Sequence, residues 1–223
     1  QIATFLPKPL FGEAGNGMHF HQQLMLEGKN TFYNPDNPLL MSDTALFYIG
    51  GLLTHAGSVL AFTNPSTNSY RRLIPGFEAP VKAIFSSGNR SAAIRIPKYA
   101  TQPDQVRFEF RPPDATCNPY LAMAAMLMAG LDGIKNRINP TKAGFGPINE
   151  DIYSWSPEKK KSIKSLPTSL HEALKALEED NDYLRTDDIF PSTLIEQWLV
   201  KKYEEEKTVR ARPHPYEIEL YCD

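Results

Sequence analysis

The chain has 223 residues with a formal net charge of −2, and 41% of its residues are hydrophobic and 22% charged. These values are typical of a soluble globular protein with one large core or two small ones, and the small net charge gives no general attraction to nucleic acid. Two cysteines are too few for a disulfide scaffold and no apolar run approaches the roughly 20 residues that span a bilayer, so we expect a reduced, cytoplasmic protein.

The first third of the chain is predicted to form two strands and a long helix. Residues 1–10 resemble the interior of a strand, residues 11–17 form a glycine-rich turn, and residues 18–25 alternate weakly. Because the sequence lacks an initiator methionine and opens on a strand pattern, we expect it to start partway into a domain. A helical pattern then covers residues 43–63, interrupted by glycines at 50, 51 and 57, and residues 64–80 are predicted to be a loop.

Two strands, each with one apolar and one charged face, are predicted next. Residues 92–97 place Ile94 and Ile96 on one face and Arg95 on the other. Residues 106–111 place two phenylalanines on one face and three charged residues on the other, namely Arg107, Glu109 and Arg111. Asn118-Pro119 is typical of a helix start, and that helix is predicted to run to about residue 136.

The last third is predicted to be mostly loop and helix. Residues 137–167 are loop-rich, and two capping boxes, Ser169 with Glu172 and Thr193 with Glu196, announce further helices. Residues 215–222 alternate again. The mixture of antiparallel-looking strands with segregated helices predicts an α+β fold, in which an antiparallel sheet is flanked by helices.

Three groups of residues have the chemistry of a phosphate and metal site. His19 and His21 are two apart on a predicted strand and therefore share a face, although two surface histidines would show the same spacing. Glu109 is a hard oxygen ligand suited to Mg²⁺ or Mn²⁺ and has an arginine on either side, although a solvated face with cross-strand charge pairs is an alternative. Further arginines at 72, 90 and 95 require anionic partners, as phosphoryl-transfer sites do.

Together these segments resemble type I glutamine synthetase, the bacterial and archaeal form, along nearly the whole chain. The similar blocks, in the order of the family, are Lys8-Pro9-Leu10-Phe11-Gly12, Gly15-Asn16-Gly17-Met18-His19-Phe20-His21, Asn68-Ser69-Tyr70-Arg71-Arg72-Leu73, Pro75-Gly76-Phe77-Glu78-Ala79-Pro80, Asn89-Arg90-Ser91-Ala92, Phe108-Glu109-Phe110-Arg111, Asn118-Pro119-Tyr120-Leu121 and His214-Pro215-Tyr216-Glu217.

The resemblance implies a role for each matching residue. His19 and Glu109 match ligands of the metal site nearer the nucleotide phosphates. Contacts to ATP are implied for His21, Gln23, Arg90, Arg95 and Arg107, and contacts to glutamate for Gly15, Arg72, Glu78, Arg90 and Arg111. Glu78 and Arg90 are the implied catalytic residues: Glu78 closes over the site and helps to deprotonate ammonium, and Arg90 meets the transferred phosphate.

The implied reaction has two steps. The γ-carboxylate of glutamate attacks the γ-phosphate of ATP to give γ-glutamyl phosphate, and ammonia then displaces phosphate to give glutamine. The resemblance also implies Mg²⁺ or Mn²⁺, a full-length dodecamer of two hexameric rings, and neither a nucleic-acid nor a membrane partner.

Several positions depart from the family pattern. Ala14 stands where Asn is usual, Gln23 where Ser is usual, and Gly88 where a basic residue is common. Tyr153 lies where some members carry a regulatory adenylylated tyrosine, but its neighbours differ from that subgroup, so we do not predict the modification.

The family's small β-grasp domain and the first part of its catalytic domain, with a Glu-x-Glu strand, have no counterpart in residues 1–223. We therefore expect a partial catalytic domain that is inactive alone, because two protein ligands are too few to fix a pair of metal ions. A non-catalytic structural relative is the second hypothesis. A metal hydrolase built on the histidine pair is disfavoured, because His55 and His171 are predicted in helices and His214 in a loop.

Overall fold

Two sheets appear in the computed structural model, which describes residues 3–77, 79–150 and 152–222, without the side chains of Tyr153 and Pro157. The strands are β1 (Phe20–Gln22), β2 (Met25–Leu26), β3 (Lys29–Asn30), β4 (Lys82–Ser86), β5 (Ala92–Arg95) and β6 (Phe108–Phe110). Strands β2 and β3 form a small hairpin, and the other four form a sheet in the order β1-β6-β5-β4. The β1–β6 and β5–β6 pairs are antiparallel, whereas β4 and β5 run parallel. The sheet is therefore mixed, which corrects the prediction of an antiparallel sheet.

Helices surround the larger sheet. They are α1 (Asp43–Thr54), α2 (Ala56–Thr63), α3 (Thr67–Arg72), α4 (Pro119–Lys135), α5 (Pro157–Lys161), α6 (Leu170–Glu179), α7 (Asp182–Arg185), α8 (Ser192–Arg210) and α9 (Pro215–Tyr221), with short 3-10 turns at Ile152–Ser154 and Thr186–Asp188. The α+β class is confirmed. No single helix in the described ranges is long and apolar enough to span a bilayer. Among the described residues, the helices α1 and α2 reach the required length and apolar composition only when they are taken together, and they meet at an angle of 76°.

The charged and apolar faces of the sheet separate as the alternation predicts. Ile94, Phe108 and Phe110 are fully buried in the core. The rings of Phe32, Tyr48 and Phe108 pack together with centroids 5.5–5.8 Å apart. Side chains that alternate with these along β5 and β6 lie on the opposite face of the sheet, where they are free to build a polar site.

Close packing between α1 and α4 explains Gly51, which the sequence pattern had suggested as an interruption of the first helix. A Cβ on Gly51 would lie 2.1 Å from the carbonyl oxygen of Ala129, and one on Gly133 of α4 would lie 2.2 Å from that of Phe47. These two glycines therefore let the helix backbones touch, and α1 continues through Gly51. The chain instead bends at His55, between α1 and α2.

The side chain of His55 ties this bend to two other helices. Its Nδ1 lies 2.9 Å from Oδ2 of Asp180, which caps α6, and its Nε2 lies 3.0 Å from Oδ2 of Asp132 on α4. The imidazole also stacks on the buried ring of Tyr183, with centroids 4.0 Å apart. We call these four residues the His55 clamp.

Four local predictions are wrong. The segment that begins at residue 64, predicted to be a loop, contains the helix α3, which Ser66 and Ser69 start with a capping box. Residues 3–10 contain no strand, and the backbone of Lys8 pairs instead with the Asn68 side chain. The alternating tail is the helix α9, which begins with Pro215 at its first position. Helix α8 begins at Ser192 without a side-chain cap from Thr193, whereas Ser169 does cap α6, accepting from the backbone N–H of Glu172 at 3.1 Å.

Candidate active site

The register of the sheet brings the predicted site residues side by side. His21 on β1 is paired with Glu109 on β6, and Glu109 is paired with Arg95 on β5. Because side chains alternate along a strand, Arg107 and Arg111 project from the same face as Glu109. Strand β1, which lies far from β5 and β6 in sequence, thus joins them to build one charged surface.

Glu109 is the centre of this surface and is only 2% exposed. Its Oε1 accepts hydrogen bonds from Nδ1 of His19 at 2.7 Å and Nη1 of Arg111 at 2.9 Å, and its Oε2 accepts from Nε of Arg95 at 2.7 Å. Burial raises the pKa of this carboxyl, but His19, Arg111 and Arg95 together outweigh burial and lower the pKa to about 2. The group is therefore a carboxylate at neutral pH.

The contact with Glu109 also sets the hydrogen position on His19. A carboxylate can only accept, so Nδ1 of His19 carries the hydrogen of this bond, and in the neutral imidazole Nε2 then has a lone pair. Such an arrangement, with one ring nitrogen bound to a carboxylate, is typical of histidines that bind metal through the other nitrogen. A Cβ on Gly17 would lie 3.0 Å from this Nε2, so glycine at that position keeps it accessible.

His21 is held as a neutral hydrogen-bonding group. Nε of Arg107 donates to its Nδ1 at 3.3 Å. Burial lowers the pKa of His21, and the nearby charge of Arg107 lowers it further, against the opposing effect of Glu109. With Nδ1 accepting, the hydrogen is on Nε2, which is thus a donor suited to an anionic or polar ligand.

The side chain of Arg72 is buried and binds backbone carbonyl groups. It is 6% exposed, and its guanidinium donates to the carbonyl oxygens of Pro112 at 2.6 Å and Arg111 at 3.1 Å. Burial lowers its pKa to about 10, which leaves it a cation at neutral pH. Arg72 thereby fixes the chain just after β6, and its implied contact to glutamate stays a prediction.

The glycine-rich turn packs directly on Arg72. A Cβ on Gly15 would lie 2.3 Å from the carbonyl oxygen of Pro7, and one on Gly17 would lie 2.4 Å from Nη2 of Arg72. The backbone N–H of Met18 then donates to the carbonyl of Pro113 at 2.8 Å. Only glycine fits this close approach, which sets the start of β1 beside the end of β6.

Eight of the predicted residues are accounted for in this assembly, namely Gly15, His19, His21, Arg72, Arg95, Arg107, Glu109 and Arg111. Gln23 is exposed and its side-chain contact is with the sulfur of Met25 at 3.7 Å, so it is not part of the cluster. The backbone carbonyl of Arg90 accepts from Nε of Arg111 at 3.2 Å. Glu78 and the side chain of Tyr153 lie outside the described residues.

Two polar residues support the site, although no role was predicted for either of them. Asn64 is fully buried and donates to the carbonyl of Pro112 at 2.6 Å and to Asp114 at 3.1 Å. Asn68 exchanges hydrogen bonds with the backbone of Lys8. The hydrogen bonds of both asparagines join positions 48 to 60 residues apart, so no local sequence pattern could have predicted these contacts.

A family model described as "Glutamine synthetase, catalytic domain" matches residues 1–221. Curated relatives named glutamine synthetase are 54% identical in Frankia alni, 52% in Streptomyces filamentosus and 51% in Mycobacterium bovis, each over the whole of this chain. The chain spans about half the length of these relatives, 46% in Frankia alni and 47% in Streptomyces filamentosus.

A solved structure gives the same result for the fold. The glutamine synthetase of Plasmodium falciparum superimposes with a TM-score of 0.83 at 33% identity, covering 98% of this chain and 49% of that one. Sequence and fold thus agree over nearly all of the residues, including the strands that carry the charged surface. The chain belongs to the glutamine synthetase catalytic-domain family.

Proposed function

We propose that this chain supplies the nucleotide side of a glutamine synthetase active site, in a protein that ligates ammonia to L-glutamate with cleavage of ATP. The observation that carries the proposal is the ionised, buried Glu109, on which His19, Arg95 and Arg111 converge from separate segments. A surface of this kind neutralises the charge that develops during phosphoryl transfer.

Each side chain of the surface has a distinct part in the proposed reaction. Arg95 and Arg107 bind the ATP phosphates as fixed cations, and His21 donates to the nucleotide through Nε2. Arg111 and Gly15 contact glutamate, and Arg72 holds the backbone that carries Arg111. Arg90 stabilises the transferred phosphoryl group, and Glu78 closes over the site and accepts a proton from ammonium, which also protects γ-glutamyl phosphate from water.

The described residues fit one part of a divalent-metal site. The donor set is Nε2 of His19 and the carboxylate of Glu109, and the described ranges contain no group of three or more His, Cys, Asp or Glu residues that could hold a metal ion. Mg²⁺ prefers six oxygen ligands, so further ligands must come from the phosphates, from water or from other protein groups. A bound Mg²⁺ or Mn²⁺ would offset the phosphate charge there.

We further propose that the protein is cytoplasmic and homo-oligomeric, as two hexameric rings. The location is supported by the unpaired state of both cysteines, one buried and one exposed. The assembly is supported by family membership and by large apolar side chains left exposed on α9, among them Ile218 and Tyr221.

A chimera tests the proposed activity. The segment of the Frankia alni relative that matches this chain is replaced by residues 1–223, and glutamine formation is measured with glutamate, ammonium, ATP and Mg²⁺. We expect turnover within about tenfold of the unaltered relative, and none from the 223-residue chain alone, because that chain carries only part of the metal ligands.

The matched control is the same chimera with Arg111→Lys, which keeps the charge but loses the planar fork that binds a carboxylate with two hydrogen bonds. We expect it to lose at least about a hundredfold in kcat/KM. A folded chimera without activity, beside an active parent, would instead identify a structural relative that has lost catalysis.

A further inference from the structure

Residues 145–150 run alongside the end of β4, just before the turn that carries Arg90. The backbone N–H of Phe85 donates to the carbonyl of Phe145 at 2.9 Å, and the carbonyl of Phe85 accepts from the N–H of Ile148 at 3.0 Å. A Cβ on Gly146 would lie 2.8 Å from the same Phe85 oxygen, so glycine permits this approach. The pairing places Asn149 beside the last residue of β4.

The side chain of Asn149 accepts hydrogen bonds from two serines at the end of this strand. Its Oδ1 accepts from Oγ of Ser86 at 2.8 Å, and from both the backbone N–H and Oγ of Ser87 at 3.0 Å. In all three contacts the oxygen of the amide is the acceptor. A carboxylate in the same place could therefore accept the same bonds, whereas an apolar side chain of similar size could not.

The hydroxyl of Ser86 passes this contact on to the turn. Ser86 is fully buried, and its Oγ accepts from the backbone N–H groups of Gly88 at 3.1 Å and Asn89 at 2.9 Å. Because the one hydrogen of this hydroxyl points to Asn149, its lone pairs are left for the two N–H groups. Asn149 thus sets the orientation of the hydroxyl around which the turn is built.

The backbone on either side of Arg90 is held by further hydrogen bonds. Oδ1 of Asn89 accepts from the N–H of Ser91 at 2.8 Å, and Nδ2 of Asn89 donates to the carbonyl of Glu150 at 3.0 Å. The carbonyl of Arg90 accepts from Nε of Arg111 at 3.2 Å. The neighbouring segment and the charged surface therefore fix the place from which the Arg90 side chain starts.

We propose that Asn149 is a positioning residue for Arg90, because it holds turn 86–91 through Ser86 and Ser87. The effect on the turn follows from these hydrogen bonds, whereas the effect on catalysis rests on the proposed function, in which Arg90 meets the transferred phosphoryl group. A cation stabilises developing charge best from one defined position. A displaced turn should therefore slow the reaction while the remaining contacts to the substrates persist.

The turn is tested first, by amide hydrogen exchange measured residue by residue with NMR in the purified chain. Asn149→Leu removes the acceptor, and we expect the N–H of Ser87 to exchange about tenfold faster and those of Gly88 and Asn89 to follow. Asn149→Asp keeps an acceptor oxygen and should return exchange to within about twofold of the unaltered chain. Ser86→Ala should quicken exchange at Gly88 and Asn89 more than at Ser87, whose contact with Asn149 remains.

The matched control is Asn118→Leu. Asn118 is also an exposed asparagine whose Oδ1 accepts from backbone N–H groups, those of Tyr120 at 3.0 Å and Leu121 at 3.4 Å. It should leave exchange in turn 86–91 unchanged. If the Ser87 amide exchanges at the same rate in Asn149→Leu as in the unaltered chain, or equally fast in both leucine variants, Asn149 does not hold the turn and the proposal is wrong.

The catalytic part is tested in the Frankia alni chimera by a double-mutant cycle, with rates of glutamine formation expressed per folded protein. We expect Asn149→Leu to lower kcat about tenfold when Arg90 is present, and no more than about twofold when Arg90→Gln has already removed the cation. A general loss of structure would instead lower kcat by the same factor in both backgrounds. Asn149→Asp should restore kcat to within about threefold of the parent chimera.

The outcomes separate the two proposals. An inactive parent chimera would contradict the proposed function, and amide exchange would still decide whether Asn149 holds the turn. Equal losses of kcat with and without Arg90, beside an active parent, would show that Asn149 does not act through Arg90, and this would overturn the catalytic part while leaving the proposed function in place.

Discussion

At the scale of single residues, Glu109 shows how much of the site depends on one carboxylate. Three groups donate to it from three segments, and it is nearly inaccessible to solvent. Its removal would leave the cations of Arg95 and Arg111 facing each other without compensation. An unpaired charge of this kind is costly in a buried setting.

Glu109→Gln should therefore lower the free energy of unfolding by about 2–3 kcal/mol at pH 7, below the full cost of a buried pair because Arg95 and His19 are partly exposed. Urea unfolding followed by circular dichroism measures the change. Glu178→Gln is the matched control, since Glu178 is mostly exposed and accepts from the hydroxyl of Tyr203 at 3.0 Å. Equal losses in the two variants would show that the Glu109 cluster contributes little to stability.

The sequence predicted the members of the Glu109 cluster better than their contacts. Strand alternation placed Arg107, Glu109 and Arg111 on one face. The contacts of Arg111 with Glu109 and of Arg107 with His21, which is paired with Glu109, agree with this prediction. The direct contact between His19 and Glu109 joins positions 90 residues apart and depends on the pairing of β1 with β6, which no local pattern encodes. The same holds for Lys8, whose predicted strand is replaced by contacts with Asn68, 60 residues away.

At the scale of secondary structure, glycines on α1 and α4 decide how closely these helices pack. Gly133→Ala places a methyl group 2.2 Å from the carbonyl oxygen of Phe47, and backbone cannot move aside as a flexible side chain could. We expect a loss of about 2–4 kcal/mol in the free energy of unfolding, beyond the helix propensity gained by alanine. The melting temperature and urea midpoint measure it.

Gly88→Ala is the control for this helix contact. Its added Cβ would meet only the end of the Lys98 side chain, at 3.8 Å, and its φ is not in the left-handed region. The change should alter the free energy of unfolding by no more than about 0.5 kcal/mol. A Gly133→Ala chain as stable as Gly88→Ala would mean that α1 and α4 can separate without cost.

Elements with a strong local signal were predicted well and the others were not. Asn118 followed by proline predicted α4, and its Oδ1 does accept from the N–H of Tyr120 at 3.0 Å. Strand β4 was missed, because its apolar run gives no alternation and its place in the sheet is set by parallel pairing with β5. The parallel pair is also why an antiparallel sheet was too simple a prediction.

At the scale of the whole molecule, the His55 clamp joins the bend between α1 and α2 to α4, α6 and α7. Burial lowers the pKa of His55, but hydrogen bonds to Asp180 and Asp132 outweigh burial, and the pKa is raised above its usual 6.5. The folded state thus favours the protonated imidazole. The resulting stabilisation is fully present below about pH 6.5 and is lost as the pH rises through the folded-state value.

The free energy of unfolding should therefore fall as the pH is raised from about 6 to 9, with part of this fall absent in His55→Gln. At pH 6 that variant should be less stable by about 1–3 kcal/mol, the usual worth of hydrogen bonds to charged groups. Urea titrations across this range give the profile. His171→Gln, which alters an exposed histidine beside Tyr203, should leave the pH dependence of the free energy of unfolding unchanged. If His55→Gln also leaves this pH dependence unchanged, the His55 clamp is not its cause.

The alternation of side chains along β6 limits the sequence changes that the protein can tolerate. Its phenylalanines and Glu109 alternate between core and site with a period of two. One residue inserted or deleted between its pairing positions would turn both phenylalanines toward the charged surface and bury the carboxylate among aromatic rings. This strand should accept conservative substitutions yet reject every single-residue insertion or deletion, so length changes among descendants of this gene should accumulate in the exposed stretch at residues 101–105, before the strand begins.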